Sequence, residues 1–429
     1  MVTNNQKRIL FVLGQFYPEG GIAVLRHLRY IRYLMSIEIE LLVLAPDKIH
    51  IESEDLSLKK YIPPNINIIR YRHSNSFLKE DKISYLIPFF LRSRINAFLK
   101  SMPPDYDFWG WFFPGIRCAV KVMKEYSPSV IYSSSSPYGL HLLSFLISRL
   151  FHVPWVADFR DEWSENPFRS YIKMRAWLDR KLEEVTLRYA DNIIVTTEAY
   201  KEQLINISPD IKEKVYVIPN SFFIDDFDKP MEFRNERFTI TYVGSFYSHQ
   251  QPSTIIKSLR SLCDSGNINE NDILLRIYGV WDGKPDNLAP YVKVLGSVTH
   301  DKAIYAMRSS DVNYLIVAKE RGRGNVPGKI WEYIASGRPI IAEVPVPGES
   351  FTVLNKLNYP SEIVDCADEV ALGKAILKHF KIWKKERTYY STLPLGIADH
   401  DSISMSKRLT EIIDSALNMH EYKKINPKR

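Results

Sequence analysis

The chain has 429 residues, of which 45% are hydrophobic and 25% charged, so two or three ordinary globular domains are expected. Its three cysteines, Cys118, Cys263 and Cys366, lie far apart and form no CxxC pair, which excludes a disulfide framework and suits a reducing cytoplasm. The net charge of +7 favours an anionic partner, either a phosphorylated substrate, anionic lipid or nucleic acid. No nucleic-acid-binding module is recognisable, so nucleic acid is not expected as a partner.

The first residues predict neither a secretory leader nor a membrane anchor. The apolar run RILFVLG at residues 8–14 is short and leads directly into a glycine turn. No apolar stretch reaches the length of about 18 residues that a spanning helix needs. The ten histidines are scattered and suggest no metal site, so neither a metal nor another cofactor is expected.

Short apolar strands alternate with amphipathic helices through the first half of the chain. Residues 8–14 and 39–45 predict buried strands on either side of a helix at 22–35, with Gly20 and Gly21 at the first turn. Further strands are predicted at 130–133, 154–158, 192–196 and 215–218, and further helices at 141–151, 173–190 and 198–204. This alternation is typical of a parallel sheet with helices on both faces.

The pattern stops over a charged, turn-rich connection and then begins again. Strands are predicted at 239–243, 273–278, 292–295, 311–316 and 340–342, and helices at 252–263, 301–308, 370–377 and 402–419. The predicted organisation is a first α/β domain at 1–220, a linker at 221–237, a second α/β domain at 238–400, a C-terminal helix at 401–419 and a basic tail at 420–429. Packing of the C-terminal helix against the first domain is one option.

Two doubly wound units in one chain usually enclose a cleft. Ligands of open α/β sheets bind at the carboxyl ends of the strands. The loops at these ends are rich in glycine, charge or amides: 15–21, 159–163, 244–251, 279–284 and 321–328. Such loops are commonly polar in any protein, so their composition favours a site only in combination.

The segment 325–342, NVPGKIWEYIASGRPIIA, is the most informative part of the chain. Pro327 suits the first turn of a helix, and Gly337 suits a left-handed cap before a buried strand. Lys329 and Glu332 are three residues apart and share one helical face. Lys329 could bind an anion and Glu332 could accept hydrogen bonds from sugar hydroxyls. The spacing alone favours the alternative, an ordinary surface Lys–Glu pair.

Six segments resemble, in order, the retaining nucleotide-sugar glycosyltransferases that have two Rossmann-like domains, the GT-B fold with family 4-like members. They are FYPEGGIAVLRHLRYIRYL, PWVADFRDEW, VYVIPNSFFIDDF, ITYVGSFY, VLGSVTHDKAIYAMRSSDVNYLI and GKIWEYIASGRPIIA. PWVADFRDEW resembles the ADFRDPW loop of one subgroup. The resemblance spans nearly the whole chain and implies an α/β fold in which two such domains face a cleft.

The chain departs from this family at two places. The first glutamate of the family's Glu-x7-Glu motif is expected eight residues before Glu332, where Gly324 stands. The family's Arg–Lys pair is expected within SFYSHQQP, which contains neither residue. The diphosphate charge would therefore have to be met by Arg321, Arg323, Lys329 and a helix dipole.

The resemblance implies a donor site in the second domain and an acceptor site in the first. Backbone N–H groups and a cation can hold a diphosphate without a metal. For Gly20 and Gly21, a simple tight turn is an equal alternative. The predicted donor-binding residues are Gly20, Gly21, Gly244, Ser245, Arg323, Pro327, Gly328, Lys329 and Glu332.

The loop after the strand PWVAD is the predicted acceptor site, formed by Asp158, Arg160 and Asp161. Two carboxylates flanking an arginine suit hydroxyl positioning or proton handling, whereas a network that only braces the loop is the alternative. Asp161 is predicted to face the acceptor and, with Glu332, to act in catalysis. Asp158 is predicted to be more structural, and Arg26 to be a salt-bridge partner rather than a phosphate contact.

Residues 84–113 combine an apolar helical face, Arg92 and Arg94, and a run of aromatics. They predict either an interfacial helix on anionic lipid or a core helix followed by an aromatic loop.

The predicted function is transfer of a sugar from a nucleotide-sugar donor to a glycan or lipid-linked acceptor in surface polysaccharide biosynthesis. The reaction is expected to retain anomeric configuration and to need no metal. The predicted location is the cytoplasm, with the inner face of the membrane as a further option. A non-catalytic nucleotide- or glycan-binding relative and a nucleotide-sugar epimerase of similar fold stay open as alternatives.

Overall fold

The computed structural model describes residues 7–47, 54–72, 104–105, 108–167, 173–247, 250–322, 324–386, 388–391 and 396–425. Within these residues, two parallel sheets form from successive parts of the chain, and helices cover both. The predicted α/β fold with two doubly wound units is therefore confirmed. No helix in the described part of the chain is long and apolar enough to cross a bilayer.

The first unit is built on a parallel sheet whose described strands lie in the order β3-β2-β1-β4-β5-β6-β7. All these strands are parallel, but β2 and β3 are added on one side of β1, whereas β4 to β7 are added on its other side. The carboxyl ends of β1 and β4 therefore flank a crevice. The strands are β1 (Arg8–Val12), β2 (Glu40–Pro46), β3 (Asn67–Tyr71), β4 (Val130–Ser135), β5 (Trp155–Phe159), β6 (Asn192–Val195) and β7 (Val215–Val217).

Helices cover both faces of this sheet, and each face has its own apolar core. They are α1 (Ile22–Ser36), α2 (Phe108–Tyr126), α3 (Gly139–Phe151), α4 (Lys173–Tyr189) and α5 (Glu198–Ile207).

Helix α2 corrects the prediction for the aromatic run. Phe108, Trp111 and Phe112 are buried in its first turns, so these aromatics form neither a loop nor an exposed lipid contact. Their spacing continues through the buried Ala119 and Val122, which is helical periodicity that the dense aromatics concealed. The predicted helix at residues 84–100 lies outside the described residues.

The second unit is built on a parallel sheet with the described strand order β11-β10-β9-β12-β13-β14. The strands are β9 (Phe238–Val243), β10 (Ile273–Tyr278), β11 (Val292–Val294), β12 (Val312–Ile316), β13 (Ile340–Glu343) and β14 (Ser361–Val364). The helices are α6 (Ser253–Asp264), α7 (His300–Arg308), α8 (Lys329–Ala335), α9 (Glu349–Lys356) and α10 (Glu369–Lys385). Gly337 has a φ of +70°, which confirms the left-handed cap predicted before β13.

Between the units, β8 (Met231–Arg234) pairs with β15 (Thr388–Ser391) as a small antiparallel sheet. The chain then returns to the first unit through α11 (Ser402–Ile425). Met405, Leu409 and Ile413 of this helix are buried in the core beneath α1. Polar contacts add to this packing, since the Asn192 side chain donates to the Ile412 carbonyl at 2.7 Å.

A polar network joins the connection between the units to both of them. The Asp226 carboxylate accepts a hydrogen bond from Tyr61 at 2.5 Å and lies 3.2 Å from His300 Nε2. The His300 backbone N–H donates to Asp55 at 2.6 Å. Burial alone would raise the pKa of Asp226, but hydrogen bonds from His300 and Tyr61 hold this pKa at about 2. The network therefore fixes the relative placement of α7 and the first unit.

Candidate functional site

The strand ends of the two units meet where α1 and α8 begin. Gly328, directly before α8, touches Ile22 of α1: a Cβ atom at Gly328 would collide with Ile22 and lie 3.3 Å from the Asn220 side chain. A side chain at Gly328 would therefore displace the Ile22 side chain that packs against it. Gly20 is half-buried and Gly21 is exposed at the start of α1, so both predicted glycines lie on the same crevice.

The carboxyl ends of β9 and β10 form the floor on the second unit. Gly244 has a φ of +138°, and the backbone of Gly279 presses directly against its carbonyl group. Because a side chain would be strained at Gly244, the loop keeps its backbone open to the crevice. The Ser245 hydroxyl accepts a hydrogen bond from Val280 N at 3.2 Å, which ties the two loops together.

Lys329 reaches over this floor. Its Nζ lies 4.0 Å from the centre of the Tyr242 ring and directly above Gly244. The ring stabilises the ammonium group through a cation–π contact. No carboxylate among the described residues pairs with Lys329, which leaves its charge available to an anion at the end of β9. Pro327 is half-buried two residues before α8.

Glu332 lies one turn further along α8, and its side chain contacts the first unit. Its Oε1 accepts a hydrogen bond from Arg29 Nη2 of α1 at 2.7 Å, and the two side chains are only 7% and 1% exposed. Arg29 Nε and Nη1 are buried and have no partner among the described residues. Burial lowers the pKa of Arg29, although Glu332 opposes the shift. Glu332 is thus a contact between units rather than half of a surface Lys–Glu pair.

Sequence reasoning missed Arg29. The signal was present, because α1 carries charged residues at positions 26 and 29 on an otherwise apolar helical face. A charged side chain on such a face requires a buried partner.

Asp158 lies at the end of β5 and is fully buried. Arg26 binds it with two hydrogen bonds of 2.9 and 3.0 Å, and Tyr132 and Ser134 donate two more. Burial would raise the pKa of Asp158, but Arg26 outweighs this effect and lowers it. The salt bridge predicted for Arg26 is confirmed, and this saturated carboxylate does not favour the predicted acceptor contact of Asp158.

The next two residues of the loop reach the cleft. Arg160 donates to the Ser134 hydroxyl at 3.0 Å and to the Ser135 carbonyl at 2.6 Å, so it braces the end of β4. Asp161 is exposed, and its carbonyl accepts a hydrogen bond from Tyr200 at 2.8 Å. Here the loop is held by its backbone while the Asp161 carboxylate stays accessible.

A small, open pocket lies between this loop and the second unit. Its lining comprises Arg160, Asp161, Glu162, Asn166, Pro167, Thr196, Thr197, Tyr200, Gly324 and Asn325. Gly324, where the resembled family has its first motif glutamate, thus faces Asp161 across the pocket. A Cβ atom at Gly324 would approach that of Ala199 to 3.3 Å. The acidic groups of this pocket therefore come from the first unit.

Two predicted phosphate contacts, Arg323 and the side chain of Arg321, lie outside the described residues.

Comparison with known proteins gives a family match in the first unit and a shared fold over both units. Residues 88–223, in the first unit, match the family model described as Glycosyltransferase Family 4. No functionally curated protein matches the chain in sequence.

Solved structures of the same overall shape cover nearly the whole chain. HepE from Anabaena in complex with UDP has a TM-score of 0.58 at 13% identity, over 95% of this chain and 100% of that chain. Sucrose-phosphate synthase from Thermosynechococcus elongatus has a TM-score of 0.57 at 14% identity, over 99% and 100%. UDP-GlcNAc 2-epimerase from Methanocaldococcus jannaschii has a TM-score of 0.53 at 11% identity, over 95% and 99%. At such identities the likeness establishes the fold, which is the two-domain GT-B fold.

Proposed function

We propose that this protein is a glycosyltransferase that moves a sugar from a nucleotide-sugar donor to a glycan or lipid-linked acceptor. The main observation is that Lys329, which has no carboxylate partner among the described residues, lies over Gly244 on one side of the cleft, while the accessible Asp161 lies on the other. The family match in the first unit and the fold shared with UDP-bound HepE support this reading.

In this proposal the second unit binds the donor. Lys329 neutralises charge that develops on the departing diphosphate, and the open backbone at Gly244 and Ser245 lets phosphate oxygens approach N–H groups. The facing side of the crevice is proposed to consist of residues with small side chains or none, so phosphate oxygens can approach its backbone as well: Gly20, Gly21, Pro327 and Gly328. Arg323 adds a second cation. Since these groups supply the charge, the reaction is proposed to need no metal.

Glu332 is proposed to bind the donor while Arg29 holds its carboxylate in place. Arg29 takes one carboxylate oxygen, and the other accepts a hydrogen bond from a donor hydroxyl. Because that geometry spans both units, closure of the cleft would complete it.

The first unit is proposed to bind the acceptor in the polar pocket beside Asp161. The pocket is small and open, and its lining joins polar groups of both units. Asp161 positions the attacking hydroxyl and accepts its proton, while Arg160 holds the loop. The sequence resemblance supports three further parts of the proposal. The reaction retains anomeric configuration, the protein is located in the cytoplasm, and it acts in surface polysaccharide synthesis.

The proposal is tested with purified protein and a panel of nucleotide sugars that begins with UDP-sugars. We expect UDP to raise the melting temperature, and slow donor hydrolysis or transfer to occur in the presence of EDTA. Asp161→Asn should lower turnover about a hundredfold and leave donor affinity unchanged. The control is Glu165→Gln on the same loop, because Glu165 is bound by Arg180 and Gln203 outside the pocket. Absence of any response to nucleotides or donors would contradict the proposal.

Two alternatives have their own supporting observations. Gly324 in place of a motif glutamate favours a non-catalytic binding protein, which predicts donor binding without turnover for any acceptor. The fold shared with UDP-GlcNAc 2-epimerase favours an epimerase, which predicts conversion of the donor sugar without any acceptor. Analysis of the products with and without an acceptor separates all three.

A further inference from the structure

Helix α4 buries charged side chains and exposes aromatic ones, which is unusual for a surface helix. Such a helix normally turns its apolar side toward the core. Here the buried side carries the ion pair of Arg175 and Asp179, at 2.7 Å, and Glu183. The outer side instead exposes Trp177, with 61% of its surface accessible, and Tyr189, with 45%. The core of the first unit does not account for these outer aromatics.

Helix α3 extends this outer surface sideways. Leu146 and Leu150 are one turn apart, and Leu150 is 61% exposed. Arg149 lies between them, and its guanidinium stands 5.6 Å from the centre of the Tyr189 ring. Phe145 packs beneath the same ring, at 5.1 Å between ring centres. The exposed side chains of the two helices therefore form one continuous surface.

The charges along this surface are predominantly positive. Lys173, Lys181 and Arg188 are exposed on the outer side of α4 at helical spacing. The neighbouring acid Glu184 is already paired with Lys181, at 2.7 Å, and with Arg180. Aromatic and aliphatic side chains set among basic groups suit the headgroup region of an anionic bilayer.

We propose that the outer surface of α3 and α4 docks the protein on an anionic phospholipid membrane. It is defined by Leu146, Arg149, Leu150, Lys173, Trp177 and Tyr189. Tyr189 lies fifteen residues after Met174, so at about 1.5 Å per residue the surface is about 22 Å long.

The docking surface belongs to a helix that contacts the loop of the proposed acceptor site. Helix α4 begins shortly after the acceptor loop, and Glu183 holds the Ser164 backbone and hydroxyl of that loop. The helix that carries the docking surface therefore braces the loop that carries Asp161, where a membrane-bound acceptor would enter. This acceptor role rests on the proposed function, whereas membrane binding itself does not.

Sedimentation with phosphatidylcholine vesicles, with and without phosphatidylglycerol, tests the proposal on the full chain. We expect binding only to the anionic vesicles and a decrease at high salt. Lys173→Glu should weaken binding roughly tenfold or more, because each basic group near such a surface contributes about fivefold. It adds a carboxylate to the first turn of α4, which the helix dipole favours, so folding is retained. Trp177→Ser should weaken binding about tenfold by removing the interfacial aromatic.

Matched controls lie on the second unit. Lys293→Glu changes an exposed lysine of β11, and Tyr305→Ser removes a 64% exposed aromatic of α7. Both should bind vesicles like the unchanged protein. Equal weakening by these controls, or equal binding to neutral vesicles, would overturn the proposal.

Two other outcomes are equally decisive. Dimerisation that Trp177→Ser abolishes, without vesicle binding, would assign the surface to a second copy of the chain and overturn the membrane proposal. Anionic vesicle binding that follows the predictions, in a protein without any sugar transfer, would support the docking surface while the proposed function fails.

Discussion

Two buried arginines of helix α1, three residues apart, form ion pairs of different kinds. Arg26 binds Asp158 through two hydrogen bonds, and its remaining groups donate to the carbonyls of Ile218 and Pro219. Arg29 makes one hydrogen bond to Glu332, across the boundary between the units. The first pair is saturated within one unit, whereas two guanidinium nitrogens of Arg29 have no partner among the described residues. The Arg26 pair therefore stabilises the fold of one unit, and the Arg29 pair stabilises the boundary between the units.

The largest effect is expected from breaking the saturated pair. Asp158→Ala leaves Arg26 buried without its counter-charge, and loss of one partner of a buried pair costs about 3–5 kcal/mol. The free energy of unfolding, measured by chemical denaturation, should fall by this amount. Asp225→Ala is the control, because its pair with Arg32 is exposed and should contribute less than about 1 kcal/mol. Similar losses in both variants would contradict the structural role of Asp158.

A smaller and different effect is expected at the boundary pair. Arg29→Met should cost about 2 kcal/mol, as for one hydrogen bond between charged groups. The loss should appear as weaker coupling between the units, with a larger radius of gyration in solution scattering and weaker donor binding.

A double-mutant cycle with Glu332→Gln isolates this contact, and Arg32→Met is the exposed control on the same helix. A coupling energy near zero, or a compact Arg29→Met protein with unchanged donor affinity, would remove the distinction between the two arginines.

This contrast also marks what the sequence could predict. Alternating strands and helices predicted both sheets, because such patterns depend on neighbours a few residues apart. Segment 325–342 predicted the cap at Gly337 and the placement of Lys329 for the same reason. The partner of Glu332 could not be predicted, because Arg29 is 303 residues away and only the packing of the two units brings them together. The pocket between Asp161 and Gly324 likewise arises from that packing.

Lys329, one turn before Glu332 on helix α8, contacts the second unit at Tyr242 and Gly244. Lys329→Ala should weaken UDP binding roughly tenfold, because a charge-assisted contact to phosphate is lost. Binding of uridine should stay unchanged, since the proposed contact is to the diphosphate. Calorimetry with both ligands measures the difference. Lys257→Ala is the control, because Lys257 is exposed on α6 and pairs with Glu369. Equal losses for UDP and uridine would contradict the phosphate role.

The remaining effect is a loss of stability in acid, at the polar network around Asp226. The pKa of this carboxyl is about 2 in the folded protein, below its ordinary value of 3.8. The network therefore stabilises the fold fully above pH 4, and this stabilisation is lost as pH falls from about 4 toward 2. It corresponds to about 2 kcal/mol.

Chemical denaturation over this acid range should show a steeper loss of stability for the unchanged protein than for Asp226→Asn, which cannot ionise. The groups that face Asp226 are Tyr61, His300 and Lys60, so His300→Gln should flatten the same part of the curve. Identical slopes in all three proteins would show that this network, unlike the Arg26 pair, adds no charge-dependent stability.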